Sequence, residues 1–129
     1  MRPYNPKILI IEDEQNLRNA WASKLKEQGL EVMTANSGEA ALPMAIEKHP
    51  DVILVDLVMP SSDGLTLVKK LREDKWGNQV PVVYLHSWES PIVEKRRKMA
   101  EDAMSPNWSL MQVVEKVKEK LSSMKLAPL

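Results

Sequence analysis

The 129-residue sequence contains no cysteine, which excludes disulfide bonds and thiolate chemistry. It has no excess of either charge: 18 lysine and arginine residues balance 18 aspartate and glutamate residues, so no global charge favours nucleic acid or a membrane surface. It also has no apolar run long enough to span a bilayer and no signal-like stretch near its start, so we expect a cytoplasmic protein. The length suits one domain, with a core from about residue 6 to residue 124 and short tails.

Strand and helix patterns alternate along the chain. Strands are predicted near residues 7–11, 31–35, 51–55, 80–85 and 103–104, and helices begin near residues 14, 37, 64, 91 and 109. The run from Val52 to Val55 is short, uninterrupted and mostly β-branched, which is typical of a strand buried on both faces. This alternation predicts an α/β fold in which helices cover both faces of a parallel sheet.

The second predicted helix contains a local conflict. Ser37 is its expected N-cap, but Pro43 falls inside it, where proline removes a hydrogen bond and clashes with the preceding turn. We therefore expect a kink or a late start. The expected apolar face consists of Ala41, Leu42, Ala45 and Ile46.

Two apolar strands end in acidic residues. The first runs into Glu12 and Asp13, and the third ends in Asp56. Parallel sheets bind ligands at the carboxyl ends of their strands. Clustered carboxylates repel one another, and this repulsion is unfavourable unless a cation or a proton neutralises them. The pattern indicates a divalent metal site with Asp56 as a candidate nucleophile. A capping role for Asp56, and a helix-dipole role for the acidic pair, remain open alternatives.

Further residues around Asp56 suggest a family. Asp56, Met59-Pro60 and Asp63-Gly64 fit the pattern D-x-x-M-P-x-x-D-G, and Glu12-Asp13 fits the acidic pair that accompanies it. On these residues, the chain resembles the receiver domain of bacterial two-component response regulators over nearly its whole length. The resemblance implies a flavodoxin-like, doubly wound sheet of five strands in the order 2-1-3-4-5, with five helices.

The resemblance also implies a function. Asp56 would accept a phosphoryl group from a sensor histidine kinase or a phosphotransfer protein. Mg²⁺ would be held by Asp13 and Asp56, by Glu12 directly or through water, and by the backbone carbonyl of Val58. Such a domain is a signalling module rather than an enzyme.

Partner surfaces are expected on the face formed by the fourth helix, fifth strand and fifth helix of the predicted fold. Four consecutive basic residues of that helix are interpreted as a solvated face in preference to a partner surface: Lys95, Arg96, Arg97 and Lys98. No direct binding to nucleic acid or to a membrane is expected.

Three positions depart from the family pattern. His86 stands where receivers carry threonine or serine, although a shift by one residue would place Ser87 there. Ser105 stands where they carry a lysine, before a retained Pro106 that follows a cis peptide in the family. Asp102 takes the place of their switch aromatic. A neutral hydroxyl cannot replace an ammonium charge.

Two hypotheses from different classes follow. The first is a Mg²⁺-dependent receiver that is phosphorylated on Asp56. The second, favoured by the three departures, is a pseudo-receiver that acts as a protein-interaction module without phosphorylation. A small metal-dependent phosphatase is a distant third, because no residue is assigned to position a water.

Overall fold

The computed structural model describes residues 5–56, 64–85 and 110–123. The elements in chain order are β1 (Lys7–Ile11), α1 (Gln15–Glu27), β2 (Glu31–Ala35), α2 (Gly38–Lys48), β3 (Val52–Asp56), α3 (Gly64–Arg72), β4 (Val82–Leu85) and a C-terminal helix (Leu110–Ser123). The predicted fourth helix and fifth strand lie outside the described residues. None of the helices in the described residues combines the length and apolarity needed to cross a membrane.

The described strands form one parallel sheet in the order β2-β1-β3-β4. The chain therefore moves from β1 to β2 on one side and returns to β3 on the other side of β1. In such a sheet the switch point between β1 and β3 leaves a crevice beyond their carboxyl ends. The register pairs Ile11 with Val55, so the residues that follow these two, Glu12 and Asp56, are brought side by side.

Successive side chains of the central strands point to opposite faces of the sheet. On one face, Leu9 and Ile11 of β1 belong to a core cluster that includes residues of α2 and α3. On the other, Ile8 and Ile10 belong to a cluster that includes residues of α1 and the C-terminal helix. All of these β1 side chains are fully buried. Helices thus cover both faces, and the predicted doubly wound α/β architecture is confirmed.

The ends of α1 bring the chain back to the sheet. The Glu14 side chain accepts hydrogen bonds from the backbone N–H groups of Asn16 and Leu17, at 3.2 and 2.7 Å, and so caps the first turn. At the other end, Gly29 has a φ of 84°, a left-handed conformation that suits glycine, and β2 begins two residues later. The predicted helix stop at Gly29 is confirmed.

The alternative of a late start for α2 is wrong, and the predicted apolar face is correct only in part. The helix starts directly after its N-cap, where Ser37 Oγ accepts a 3.1 Å bond from Ala40 N–H, so Pro43 does not delay it. Pro43 is exposed, and the carbonyl that its missing N–H would have bonded belongs to exposed Glu39, where water can replace the bond. Ile46 is 36% exposed, because it lies roughly 100° further around the helix than buried Ala45.

Candidate metal and phosphoacceptor site

The structure brings the carboxylates of Glu12, Asp13 and Asp56 together beyond the carboxyl ends of β1 and β3. One oxygen from each can be chosen so that all lie within 4.8 Å of one another. Asp56 is the last residue of β3, and the acidic pair follows β1 directly. Glu12 and Asp56 are 2% and 4% exposed, whereas Asp13 is half-buried. The site therefore has a buried floor of two carboxylates and a third at its rim.

The backbone around Glu12 is tightly held. Its N–H donates to the carbonyl of Ala35 at 3.1 Å, which extends the pairing of β1 with β2 by one step. Its own carbonyl accepts a 2.9 Å bond from Arg18 Nη1, and its Oε1 accepts a 3.1 Å bond from Glu14 N–H. The remaining carboxylate oxygen, Oε2, is buried, and with both carboxyls ionised it has no hydrogen-bond partner among the described residues. This leaves one ligand-type atom unsatisfied in the site.

The proton affinity of Glu12 reflects this crowding. Burial, the hydrogen bond to the Asp56 carboxyl and the negative charges of Asp56 and Asp13 raise its pKa to about 9, from an ordinary value of 4.5, against the opposing effect of the Glu14 N–H. A hydrogen bond between two carboxyls requires a proton on one of them. With both ionised, neither has a proton to donate. The two buried carboxyls therefore need either a proton on one of them or a bound cation to offset their negative charges.

Asp56 is held from the side of α3. A Cβ atom on Gly64, the first residue of α3, would lie 2.8 Å from the Asp56 carbonyl oxygen and 3.0 Å from Val55 Cγ2. Only glycine allows the helix to start this close to the strand end. The sequence pattern had assigned Gly64 to a turn, and it missed this packing role.

The dipole interpretation of the acidic pair needs a correction. Glu12 and Asp13 precede α1, which begins at Gln15, and it is Glu14 that accepts hydrogen bonds from the first turn. The sequence had placed Glu14 inside the helix. Glu14 caps the first turn and Glu12 Oε1 accepts the Glu14 N–H, so within the acidic pair Glu12 Oε2 and the Asp13 carboxylate are left to the crevice.

The donor set fits a hard divalent cation. Mg²⁺ prefers oxygen ligands and is usually bound through one or two carboxylates with several waters retained. Clustered carboxylate oxygens and the buried, unpartnered Glu12 Oε2 match that chemistry. Cation binding would relieve both the repulsion between the carboxylates and the unsatisfied oxygen.

The other residues assigned to the site from sequence lie outside the described residues. They are Val58, His86, Ser87, Lys95, Arg96, Arg97, Lys98, Asp102, Ser105 and Pro106.

A doubly wound parallel sheet with acidic residues at its switch point is the architecture of a receiver-type signalling domain. Residues 8–118 match the model of the response regulator receiver domain. The chain therefore belongs to that family, and it is a signal-transduction domain of the kind that accepts a phosphoryl group in two-component systems. No comparison favours the pseudo-receiver alternative.

Individual relatives agree with this assignment. The chain is 31% identical over 123 residues to the alkaline phosphatase synthesis transcriptional regulatory protein PhoP of Bacillus subtilis, covering 95% of this chain and 51% of PhoP. It is 42% identical over 80 residues to the response regulator PleD of Caulobacter vibrioides, covering 61% of this chain and 17% of PleD. The chain thus spans about half of the length of PhoP and a much smaller part of PleD.

Solved structures give the same fold. The chemotaxis protein CheY4 of Vibrio cholerae superposes with a TM-score of 0.80 at 26% identity, covering 92% of this chain and all of CheY4. The receiver domain of a signal transduction histidine kinase from Syntrophus aciditrophicus superposes with a TM-score of 0.84 at 26% identity, covering 93% of this chain and 92% of that one. These likenesses support the flavodoxin-like fold predicted from the sequence.

Proposed function

We propose that Asp56 is the phosphoacceptor of this receiver domain. The observation that carries the proposal is the convergence of Glu12, Asp13 and Asp56 at the switch point of the sheet. A carboxylate oxygen of Asp56 attacks the phosphorus of a phosphohistidine, the P–N bond breaks, and the imidazole nitrogen keeps the electron pair and takes up a proton. The product is an aspartyl phosphate, a labile mixed anhydride.

We also propose that Glu12, Asp13, Asp56 and the backbone carbonyl of Val58 hold Mg²⁺. When bound, the ion supplies positive charge to the oxygens of the transferred phosphoryl group. The chain itself positions the acceptor: β3 carries Asp56 to the sheet edge, and the start of α3 packs against its carbonyl.

The departures at His86, Ser105 and Asp102 modify this proposal. Lysine and a hydroxyl normally join the metal in meeting the phosphoryl charge, and here neither type stands at its usual position. We infer that phosphorylation is slow and is weakly coupled to conformational change. His86 recovers part of the lost stabilisation when it is protonated.

We further infer that a downstream protein partner binds the face made by the fourth helix, fifth strand and fifth helix. The C-terminal helix presents exposed polar residues on one side, among them Gln112, Glu115 and Glu119. Residues 95–98 add basic character to the predicted fourth helix, whether as a solvated face or as part of the partner surface. We expect this domain to lie in the cytoplasm and to make no direct contact with nucleic acid or a membrane.

Labelling with acetyl phosphate tests the proposal. In the presence of Mg²⁺ the wild-type protein should gain one phosphoryl group, as followed by intact mass spectrometry, and Asp56→Asn should gain none. Asp51→Asn is a matched control, because Asp51 lies just before β3, at the opposite end of that strand, where its Oδ2 accepts a bond from Lys7 N–H. It should be labelled like the wild type. Equal labelling of Asp56→Asn, or labelling that persists undiminished in chelator, would refute the assignment.

A further inference from the structure

Arg18 lies beside the acidic site without belonging to it. It is the fourth residue of α1, it is half-buried, and its Nη1 donates to the carbonyl oxygen of Glu12 at 2.9 Å. In the parts of the chain that the structure describes, no ion pair joins Arg18 to a carboxylate. The guanidinium therefore acts on the backbone between the acidic residues and not on their side chains.

The positive charge of Arg18 does not stabilise α1. Positive charge in the first turn opposes the helix dipole, which favours anions at that end. The first turn already has a cap in Glu14, whose carbonyl also accepts the Arg18 N–H at 2.9 Å. Among the described residues, the bond to the Glu12 carbonyl is the polar interaction that the Arg18 side chain makes.

That bond acts on a peptide group shared by two candidate ligands. The Glu12 carbonyl belongs to the planar unit that joins the Cα atoms of Glu12 and Asp13. Fixing the direction of this carbonyl fixes the plane, and with it the directions in which both side chains leave the backbone. The Glu12 N–H is held on its other side by Ala35, so the Arg18 bond completes the restraint of this residue.

We propose that Arg18 is a positioning residue for the metal site, which sets the affinity for Mg²⁺ by holding the Glu12–Asp13 peptide in the geometry that points both carboxylates at one ion. This inference rests on the proposed Mg²⁺ site.

Charge and position make opposite predictions for Arg18. If its positive charge were what mattered, removing it would make the site more negative and Mg²⁺ would bind more tightly. If its role is to hold the peptide, removing it releases the two ligands and Mg²⁺ binds more weakly. The sign of the change in affinity therefore separates the two roles.

Calorimetric titration with MgCl₂ should compare the wild type with Arg18→Met, Arg18→Lys and Arg72→Met. Loss of an outer contact that orients a metal ligand typically weakens binding by about 10- to 100-fold, and Arg18→Met should fall in that range. Arg18→Lys keeps a cationic donor and should recover part of the affinity.

Arg72→Met is the matched control. Arg72 Nη1 also donates to backbone carbonyls, those of Gly77 and Val80, both at 2.8 Å, but near the start of β4 at the opposite end of the sheet. Urea unfolding of all variants reports stability separately. Arg72→Met should lose stability and keep the wild-type affinity for Mg²⁺.

Tighter or unchanged Mg²⁺ binding by Arg18→Met would overturn the inference while leaving the proposed function intact. So would equal weakening in Arg72→Met, because the effect would then follow general stability. If the wild type does not bind Mg²⁺, both the inference and the proposed metal site fail. Weaker binding in Arg18→Met alone, with partial recovery in Arg18→Lys, supports the inference.

Discussion

Gly64 at the start of α3 packs directly against Asp56 at the end of β3. The approach is so close that a Cβ on Gly64 would lie 2.8 Å from the Asp56 carbonyl oxygen. Real Cβ atoms do not tolerate that separation from a backbone atom, so either the helix start or the strand end would have to move. The backbone of the proposed phosphoacceptor is therefore located by a residue eight positions later in the chain.

Gly64→Ala should consequently disturb the acidic site. Overpacking of this kind typically costs about 1–3 kcal/mol of stability, and the displaced Asp56 should also weaken Mg²⁺ binding. Gly77→Ala is the control, since a Cβ on Gly77, in the loop before β4, would clash with the carbonyl of Leu71 near the end of α3, away from the carboxylates. Both variants should lose stability in urea unfolding, but only Gly64→Ala should lose Mg²⁺ affinity in calorimetry. Unchanged affinity in Gly64→Ala would show that the clash is absorbed by α3 alone.

Glu12 should make the metal-free protein less stable as pH rises. Its pKa in the folded protein is raised to about 9, above the 4.5 expected for the unfolded chain. Between these values the folded state binds more protons than the unfolded state, so the free energy of unfolding falls with increasing pH. Below pH 4.5 both states are protonated and this loss disappears.

Glu12→Gln removes the titrating group and should abolish this part of the pH dependence. At pH 8 without Mg²⁺ we expect the variant to be more stable than the wild type by roughly 2–5 kcal/mol, because the wild type must take up a proton on Glu12 when it folds. The advantage should shrink at pH 5, which is close to the pKa of Glu12 in the unfolded chain, so that taking up this proton costs little. Thermal unfolding at both pH values, with and without Mg²⁺, measures the difference. A variant less stable than the wild type at pH 8 would contradict the cause assigned to the shift.

The sequence predicts this fold well because its main signals are local and repeated. The apolar runs of β1 and β3 end in acid at their carboxyl ends, and parallel pairing alone brings Glu12 and Asp56 to one edge. Arg18 carries no comparable signal, since its role depends on a single bond from a helix to the backbone of the preceding loop. Such a contact is set by tertiary geometry and not by periodicity.

The errors in the prediction of α2 also come from tertiary geometry. Pro43 is unfavourable in an average helix, but here it lies on the solvent side, next to water that can bond the freed carbonyl. Ile46 is apolar by type, yet the burial of Ala41 and Ala45 orients the helix so that Ile46 is partly exposed. In both cases the orientation of α2 on the sheet outweighed the local preference of the residue.

A stacked pair ties α2 to the loop after α3. The rings of His49 and Trp76 are 4.5 Å apart between centroids and only 8° from parallel. His49 is the C-cap of α2 and has a φ of 48°, in the left-handed region that favours glycine. The histidine thus combines an unfavourable backbone with a favourable ring contact.

Two substitutions at His49 separate these contributions. His49→Ala keeps the left-handed residue and loses the stack, so it should destabilise the protein by about 1 kcal/mol. His49→Gly loses the same stack but relieves the backbone, so it should be the more stable variant of the two. Urea unfolding followed by circular dichroism and by tryptophan fluorescence measures both. Equal stability of the two variants would mean that the backbone at residue 49 is not strained.

The last prediction concerns the rate of phosphorylation. By resemblance to other receivers, Ser105 and His86 occupy the positions of a lysine and a hydroxyl that stabilise charge on the phosphoryl oxygens. Removing one preorganised donor from such a site typically costs about 3 kcal/mol, or about a hundredfold in rate. The double variant Ser105→Lys, His86→Thr should therefore be labelled by acetyl phosphate faster than the wild type. Ser105→Lys alone should give part of the gain. Adding Asp56→Asn to the double variant should abolish labelling, which would show that the gain occurs at the proposed acceptor.

A wild type that is already labelled as fast as the double variant would contradict this prediction. The two departures would then not limit the reaction, and the acidic cluster with its metal would be sufficient for phosphoryl transfer.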